Sequence, residues 1–238
     1  MPSGPRRISI VTFVLFSTIE CLAQAPGGMP PIALSGSQIF AEVARANAVR
    51  DEELQSYLST REYTVWEPGH PPDADLLVGM QFVAPATKIF GKESEQGVGW
   101  IHKRVFHALM KAEQESAAGR EKDDSALAPA NYRAELVGED ECHGRACYVL
   151  ALRPKRDDKY LLTGRIWIDK EDFAIAKVEG EPVKSPSFWV EHAHLVREYQ
   201  RIGRFWLPMM DQTECRIRFV GEYLLRIRYF DYHVTAQE

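Results

Sequence analysis

The sequence predicts an α+β protein whose main feature is an antiparallel β-sheet. From residue 132 onward, seven segments rich in β-branched and aromatic residues follow one another with no helical pattern between them. Their connections are short and turn-like, as at His143-Gly144-Arg145, which is typical of antiparallel neighbours. Only two segments space their apolar residues as helices do, so we expect helices to cover one face of a larger sheet.

The first predicted element is a helix that begins at Ser37 and runs to about Arg50. Serine is a good N-cap residue. The apolar stripe of this helix is formed by Ile39, Phe40, Val43 and Ala46. Because only one side of the helix is apolar, we expect it to pack on a sheet.

Ten strands are predicted in two groups. The first group lies at 57–67, 76–84 and 87–92, and in its first strand Arg61, Tyr63 and Val65 fall on one side. The second group lies at about 132–140, 146–153, 160–169, 174–181, 187–202, 204–219 and 222–234.

A helical insert separates the two groups of strands, at about 97–130. Ile101, Val105 and Leu109 recur at helical spacing, which predicts a helix over about 100–112. The following stretch, 111–125, is dense in charge and alanine and is interpreted as an exposed helix end and linker.

One face of the second group of strands is apolar and needs a cover. Its members are Tyr148, Leu150, Leu152, Ile166, Ile168, Ala176, Val178, Tyr223, Leu225, Ile227 and Tyr229. Two helices rarely fill the face of seven or more strands, and an unfilled apolar hollow is where ligands bind. We expect its lining to be drawn from Met80, Phe82, Leu150, Leu152, Ile166, Ile168, Leu225 and Ile227, with Ile101, Val105 and Leu109 on a lid helix.

The N-terminus has the pattern of a cleavable export signal over residues 1–25. Arg6 and Arg7 supply the positive charge, 8–19 is a short apolar run, and Ala23-Gln24-Ala25 is a small-x-small cleavage site. The alternatives are an uncleaved anchor or a lipidated Cys21, and Glu20 disfavours lipidation. Residues 26–36, rich in Pro and Gly, are interpreted as a flexible lead-in, and 37–238 as the folded domain.

The charge balance argues against nucleic acid as a partner. The chain has 29 basic and 34 acidic residues. The predicted leader contains two basic residues and one acidic residue, so 27 basic and 33 acidic residues remain after cleavage. A mildly acidic chain without a basic block lacks the electrostatic footprint of a nucleic-acid-binding protein.

Three cysteines follow the leader, namely Cys142, Cys147 and Cys215. In an oxidising compartment, a disulfide between Cys142 and Cys147 across the neck of a hairpin is the economical interpretation. The alternative is a metal site, but the sequence has no second cysteine pair that would complete a set of four ligands. Cys215 is then expected to be a buried thiol.

Catalytic motifs are not found in the sequence. It contains no Gly-x-Ser-x-Gly elbow, His-Glu-x-x-His pair or Gly-rich phosphate loop. His192 and His194 share one face of a strand with Glu198, and this spacing could hold zinc. The simpler interpretation is that the two histidines are polar residues on a solvent-exposed face of the sheet. We therefore expect no metal, no cofactor and no enzyme activity, a secreted hydrolase being the disfavoured alternative.

Three hairpin segments and a fourth motif resemble a known family. They are Tyr148-Val-Leu-Ala-Leu-Arg-Pro-Lys155, Tyr160-Leu-Leu-Thr-Gly-Arg-Ile-Trp-Ile-Asp169, Phe173-Ala-Ile-Ala-Lys-Val-Glu-Gly180 and Arg204-Phe-Trp-Leu-Pro208. Over about residues 37–234 the chain resembles the outer-membrane lipoprotein-sorting proteins, the LolA/LolB-like superfamily. The resemblance implies an open, strongly curved half-barrel whose concave face is covered by lid helices.

The resemblance also implies a function. Members carry the acyl chains of lipoproteins or other lipids across the periplasm, and a related branch senses envelope stress. In the carriers an Arg-Pro step ending an early strand helps to hold the lid shut, whereas this chain has Ala84-Pro85. The implied function is a non-catalytic periplasmic carrier of a lipid or lipoprotein acyl chain. The alternative is an envelope sensor or interaction module that grips a membrane-bound partner protein.

Overall fold

The computed structural model describes residues 34–101, 105–116, 120–185, 190–219 and 221–236. The predicted signal peptide, 1–25, and most of the predicted lead-in lie outside the described residues. Within them, no helix is long and apolar enough to span a bilayer. The α+β prediction of a mainly antiparallel, open half-barrel sheet is confirmed.

Helix α1 (Gly36–Glu53) begins earlier than its pattern predicts, at Ser35 instead of Ser37. Ser35 is preferred as the cap because its hydroxyl accepts from the backbone amide of Gln38, whose side chain accepts in return from the Ser35 backbone amide. This reciprocal pair satisfies two of the amides that a helix start leaves without partners. In the part of the insert that the structure describes, 99–101, 105–116 and 120–125 include three shorter helices, namely α2 (Gly99–Ile101), α3 (His107–Ser116) and α4 (Arg120–Ser125).

Among the residues that the structure describes, ten strands form one sheet. They are β1 (Leu54–Trp66), β2 (Ala74–Val83), β3 (Thr87–Gly97), β4 (Tyr132–Cys142), β5 (Arg145–Pro154), β6 (Leu162–Asp169), β7 (Ile175–Pro182), β8 (Val190–Ile202), β9 (Phe205–Ile217) and β10 (Gly221–Ala236). Their order is β3-β2-β1-β10-β9-β8-β7-β6-β5-β4, and neighbouring strands are antiparallel throughout. The sheet therefore ends at two edges, β3 and β4.

One row of directly paired residues crosses most of the sheet and defines what we call its inner face. Residues directly opposite each other on neighbouring strands point to the same side. The row reads Tyr63, Ile227, Asp211, Arg197, Val178, Ile166 and Leu150, from β1 to β5. Both of its ends are apolar and its middle is charged.

The helices cover the two ends of the inner face and leave its middle open. Ile39, Phe40 and Val43 of α1 pack with the inner residues of β5, β6 and β7 in one core cluster. Ile101 and Phe106 pack with those of β1, β2 and β10 in another. Strands β8 and β9 lie between these two covered regions.

Candidate functional site

A cavity of about 850 Å³ lies over the middle of the inner face. Its lining comes from strands β1, β3, β4 and β6 to β10, from α3 and α4, and from Leu127, Lys159 and Tyr160 outside these elements. The volume falls in the range of small-molecule sites, about 300–1,000 Å³. The cavity exists because α1 and α3 reach the ends of the sheet but not strands β8 and β9 between them.

Most of the cavity wall is aliphatic or aromatic. The apolar members of the lining are Leu109, Leu127, Leu162, Val178, Leu195, Val196, Leu225 and Ile227, together with Tyr63, Tyr132, Tyr160, Tyr199 and Tyr229. They come from both core clusters, so the cavity continues the apolar interior on each side. A chain of methylene groups would meet carbon over more than half of such a wall, and polar atoms over the rest.

An arginine–aspartate pair forms the floor of the cavity. Arg197 lies on β8 and Asp211 on the neighbouring β9. Arg197 donates from Nε to Oδ1 of Asp211 at 2.5 Å and from Nη2 to Oδ2 at 2.6 Å. The Tyr229 hydroxyl of β10 donates to the same carboxylate at 2.8 Å. Direct pairing of Arg197 with Asp211 in the sheet register brings these groups together. The arrangement is a bidentate ion pair, which is both strong and directional.

The floor pair faces the cavity. The Arg197 side chain is 46% exposed and Asp211 14%, and both line the cavity, so their accessible surface is open to a ligand. The attraction of Asp211 outweighs burial and raises the pKa of Arg197. Burial raises the pKa of Tyr199 and of Tyr229, so both hydroxyls are hydrogen-bonding groups that stay neutral.

A second charged group ties α3 to the sheet. Arg61 of β1 is 1% exposed, and its Nη1 donates to Oε2 of Glu113 at 2.5 Å. Lys88 of β3 donates to the other oxygen of Glu113 at 2.7 Å. The Arg61 guanidinium also lies over the rings of Phe90 and Tyr229. A buried arginine of β1 therefore contacts the helix.

Two of the eight residues predicted to line the cavity do so, Leu225 and Ile227. Leu150, Leu152, Ile166 and Ile168 are fully buried under α1. Met80 lies in a third cluster with Tyr57, Phe205 and Leu207, and Phe82 packs against it. The predicted residues lie on the inner face, but α1 fills the space above four of them.

Of the three residues predicted to lie on the lid helix, one lines the cavity and the other two pack elsewhere. Leu109 of α3 lines the cavity. Ile101 is buried and Val105 half-buried in the cluster over β1, β2 and β10, where they anchor the insert. Residues 102–104 of the predicted helix lie outside the described residues.

The predicted Cys142–Cys147 disulfide is not formed in the structure, where both are free thiols. The register explains why: Cys147 pairs with Asp140 and Cys142 with Arg145, so the two cysteines are diagonal neighbours. Diagonal positions lie farther apart than a disulfide requires. Burial raises the pKa of Cys147 to about 12, and its thiol donates to the backbone carbonyl of Arg145 at 3.6 Å.

The histidines and the remaining cysteine lie away from the cavity lining. His192 and His194 each approach a carboxylate, Glu181 and Glu179, at 3.7 Å. Among the described residues, no group of three metal-ligating side chains is assembled. Burial raises the pKa of Cys215, which is the opposite of what a nucleophilic thiol needs.

Arg197, Asp211, Arg61 and Glu113 are the site residues that sequence reasoning missed. A signal for Arg197 exists: in Leu195-Val-Arg197-Glu-Tyr199 a charge alternates with apolar residues and so falls on the buried side of the strand. Its partner Asp211 can be assigned only from the register of β8 and β9. Arg61 was placed on the same side as Tyr63 and Val65, but its contact with a helix about fifty residues away has no local signal.

No protein-family model matches the chain, and no curated protein sequence matches it. Among solved structures, it is similar to a LolA superfamily protein from Nitrosomonas europaea, with 14% identity and a TM-score of 0.40, covering 87% of this chain and 96% of that one. It is also similar to a putative outer membrane lipoprotein-sorting protein domain from Vibrio parahaemolyticus, with 14% identity and a TM-score of 0.44. That match covers 84% of this chain and 93% of the other.

A complex of MucA and MucB from Pseudomonas aeruginosa also matches, with 12% identity and a TM-score of 0.29, covering 85% of this chain and 99% of that one. The chain is therefore similar to LolA-like structures in its fold.

Proposed function

We propose that this protein is a non-catalytic periplasmic carrier that shelters the acyl chain of a lipid or lipoprotein in the cavity over β8 and β9. The observation that carries the proposal is the gap between the two covered ends of the sheet, a space of about 850 Å³ with mainly apolar walls. A surface of this kind favours an apolar occupant over water.

The gain from an acyl chain is sufficient without any catalytic group. Moving a methylene from water to an apolar surrounding is worth about 0.8 kcal/mol. A chain of about a dozen methylenes would gain on the order of 10 kcal/mol before the costs of binding. That surplus supports retention of a lipid during transfer.

Helix α3 serves as the lid in this proposal. It contributes Leu109 to the cavity wall, and it is tied to the sheet by Glu113 through Arg61 and Lys88. Export to the periplasm is part of the proposal, and the signal pattern of residues 1–25 supports it.

A fluorescent acyl probe titrated into delipidated protein tests acyl binding. We expect saturable binding of one probe per chain to the wild type. Leu225→Trp fills the cavity and should weaken binding at least about tenfold, which is 1.4 kcal/mol. Leu224→Trp is the matched control, because the neighbouring side chain points to the other face of β10 and should leave binding unchanged.

A second function, a sensor or interaction module that contacts a membrane-bound partner protein, is favoured by one observation. Leu58, Ile89 and Val83 are 49%, 52% and 36% exposed on the outer face near the β3 edge. Leu58 and Ile89 both pair with Gln81, so they form one cross-strand row. Exposed apolar side chains beside a free edge suit a protein contact.

The two functions are separated by combining two measurements on the same preparation. A carrier binds the acyl probe and needs no stoichiometric protein partner for that binding. A sensor of this kind retains one membrane protein in a pull-down, and Ile89→Lys abolishes the retention. Failure of probe binding together with an Ile89-dependent partner would favour the second function.

A further inference from the structure

We propose that the cavity selects an acyl amphiphile with an anionic head, a carboxylate or a phosphate, and that Arg197 is the residue that recognises it. This inference rests on the proposed function, since it names the class of lipid that the acyl site would take. The inference about the head group follows from the charged side chains of the cavity, because an acyl chain alone would make no hydrogen bond or ion pair with them.

The charges around the cavity do not cancel. Its lining contains three cations, Lys88, Lys159 and Arg197, and two anions, Glu113 and Asp211. The buried Arg61 behind Glu113 adds a fourth cation, because its guanidinium contacts that carboxylate. Even without Lys159, three cations, Arg61, Lys88 and Arg197, therefore face the two carboxylates, and an occupant with one negative charge would complete the balance.

Arg197 has capacity for a further partner. A guanidinium carries five N–H donors, of which one on Nε and one on Nη2 are directed at Asp211. Asp211 thus fixes the orientation of Arg197, while 46% of the arginine side chain stays accessible within the cavity lining. An oriented guanidinium is well suited to bind a planar carboxylate or a phosphate.

One more polar group would meet a head group in this cavity. Thr213 lies in the cavity lining, and it is paired with both Leu195 and Leu225 and so points to the inner face. Its hydroxyl can donate a hydrogen bond to a head-group oxygen.

An acyl chain without a head group would fit this cavity poorly. It would remove water from Arg197 and its neighbours without replacing the lost hydrogen bonds, which costs free energy. An anionic head replaces that water with charge-assisted hydrogen bonds, which are about twice as strong as neutral ones. The apolar wall selects the tail and the arginine selects the head.

The test is displacement of the fluorescent acyl probe at neutral pH by four ligands that share one tail: myristate, myristyl phosphate, myristyl alcohol and myristyl trimethylammonium. We expect myristate or myristyl phosphate to displace the probe at concentrations at least about tenfold lower than the alcohol, with the cation weakest. The tighter of the two anions assigns the head as carboxylate or phosphate.

Variants assign the preference to Arg197. The double variant Arg197→Gln/Asp211→Asn removes both charges without leaving one buried alone, and should bring the ratio of anion affinity to alcohol affinity close to one. Arg197→Lys should keep part of the preference. Arg216→Gln/Glu222→Gln removes an exposed arginine–carboxylate pair outside the cavity lining and should keep all of it.

Each result decides between the two proposals. Equal displacement by the alcohol and the anions would overturn the inference about the head while acyl binding stands. A preference that persists in the double variant would overturn the role of Arg197. If none of the four ligands displaces the probe, or the probe itself does not bind, the proposed function falls and the inference falls with it.

Discussion

The guanidinium of Arg61, on β1, donates to the carboxylate of Glu113, on α3, and this buried contact fastens the helix to the sheet beside the cavity. Lys88 shares the same carboxylate. The two partners are therefore not equivalent. Arg61 depends on Glu113 for its only ion pair among the described residues, whereas Glu113 contacts two cations.

Removal of the carboxylate should cost more stability than removal of the arginine. Glu113→Gln leaves the Arg61 charge buried without a counter-ion, and we expect a loss of about 3–5 kcal/mol in the free energy of unfolding. Arg61→Met leaves Glu113 paired with Lys88 and should cost about 1–3 kcal/mol. Urea unfolding measures both. Glu222→Gln, at an exposed pair, should stay within about 0.5 kcal/mol of wild type.

The same pair makes stability depend on pH in acid. Burial opposes ionisation of Glu113, but Arg61 and Lys88 outweigh it and lower the pKa of this carboxyl from 4.5 to about 2. Since the folded pKa is depressed, its stabilisation is complete above the unfolded value near 4.5 and is lost as the pH falls towards 2. The gap corresponds to about 3 kcal/mol.

A difference measurement isolates that contribution from other carboxylates. The stability advantage of wild type over Glu113→Gln should shrink between about pH 4.5 and 2. Equilibrium unfolding at a series of pH values gives both curves. An advantage that stays constant through this range would show that the contact is weak in solution.

The pairing of β6 with β7 depends on a glycine. A methyl group on Gly164 would collide with the carbonyl oxygen of Glu179 and the backbone of Gly180 on the facing strand. We expect Gly164→Ala to lower the free energy of unfolding by about 2–3 kcal/mol. Gly91→Ala, on the β3 edge with open space around it, should change stability by less than about 0.5 kcal/mol. Equal costs would contradict this account of the close approach.

Export predicts a defined mature N-terminus. Expression of the full chain in a Gram-negative host should yield a protein that begins at Pro26, because Ala23-Gln24-Ala25 is the cleavage pattern. Intact-mass measurement of the periplasmic fraction checks this. Retention of residues 1–25, or a mass that corresponds to acylated Cys21, would contradict the cleaved-signal interpretation.

The alternation of apolar residues was sufficient to predict most of the sheet. Arg61, Tyr63 and Val65 were placed on one side of β1, and all three are buried. The number of strands after residue 132 and their antiparallel connection follow from short turns between β-rich segments. Local periodicity determines which side of a strand is apolar, and the structure agrees on that point for Leu150, Ile166 and Ile227.

Local periodicity does not show which strands lie under which helix. Leu150 and Ile166 have the same pattern as Leu225, yet α1 covers the first two and the third borders the cavity.

The alternation of apolar residues also does not reveal where a strand contains a β-bulge. An irregularity beside Trp167 and Ile168 turns Ala176 to the outer face, away from Val178, although simple alternation placed both on one side.

Native mass spectrometry of the protein, purified gently from the periplasm of a Gram-negative expression host, tests the central claim most directly. The account predicts one acyl-containing adduct per chain in the wild type, and its loss in Leu225→Trp but not in Leu224→Trp. A bare polypeptide mass in all three preparations, together with no binding of the acyl probe, would contradict the claim that this cavity holds a lipid.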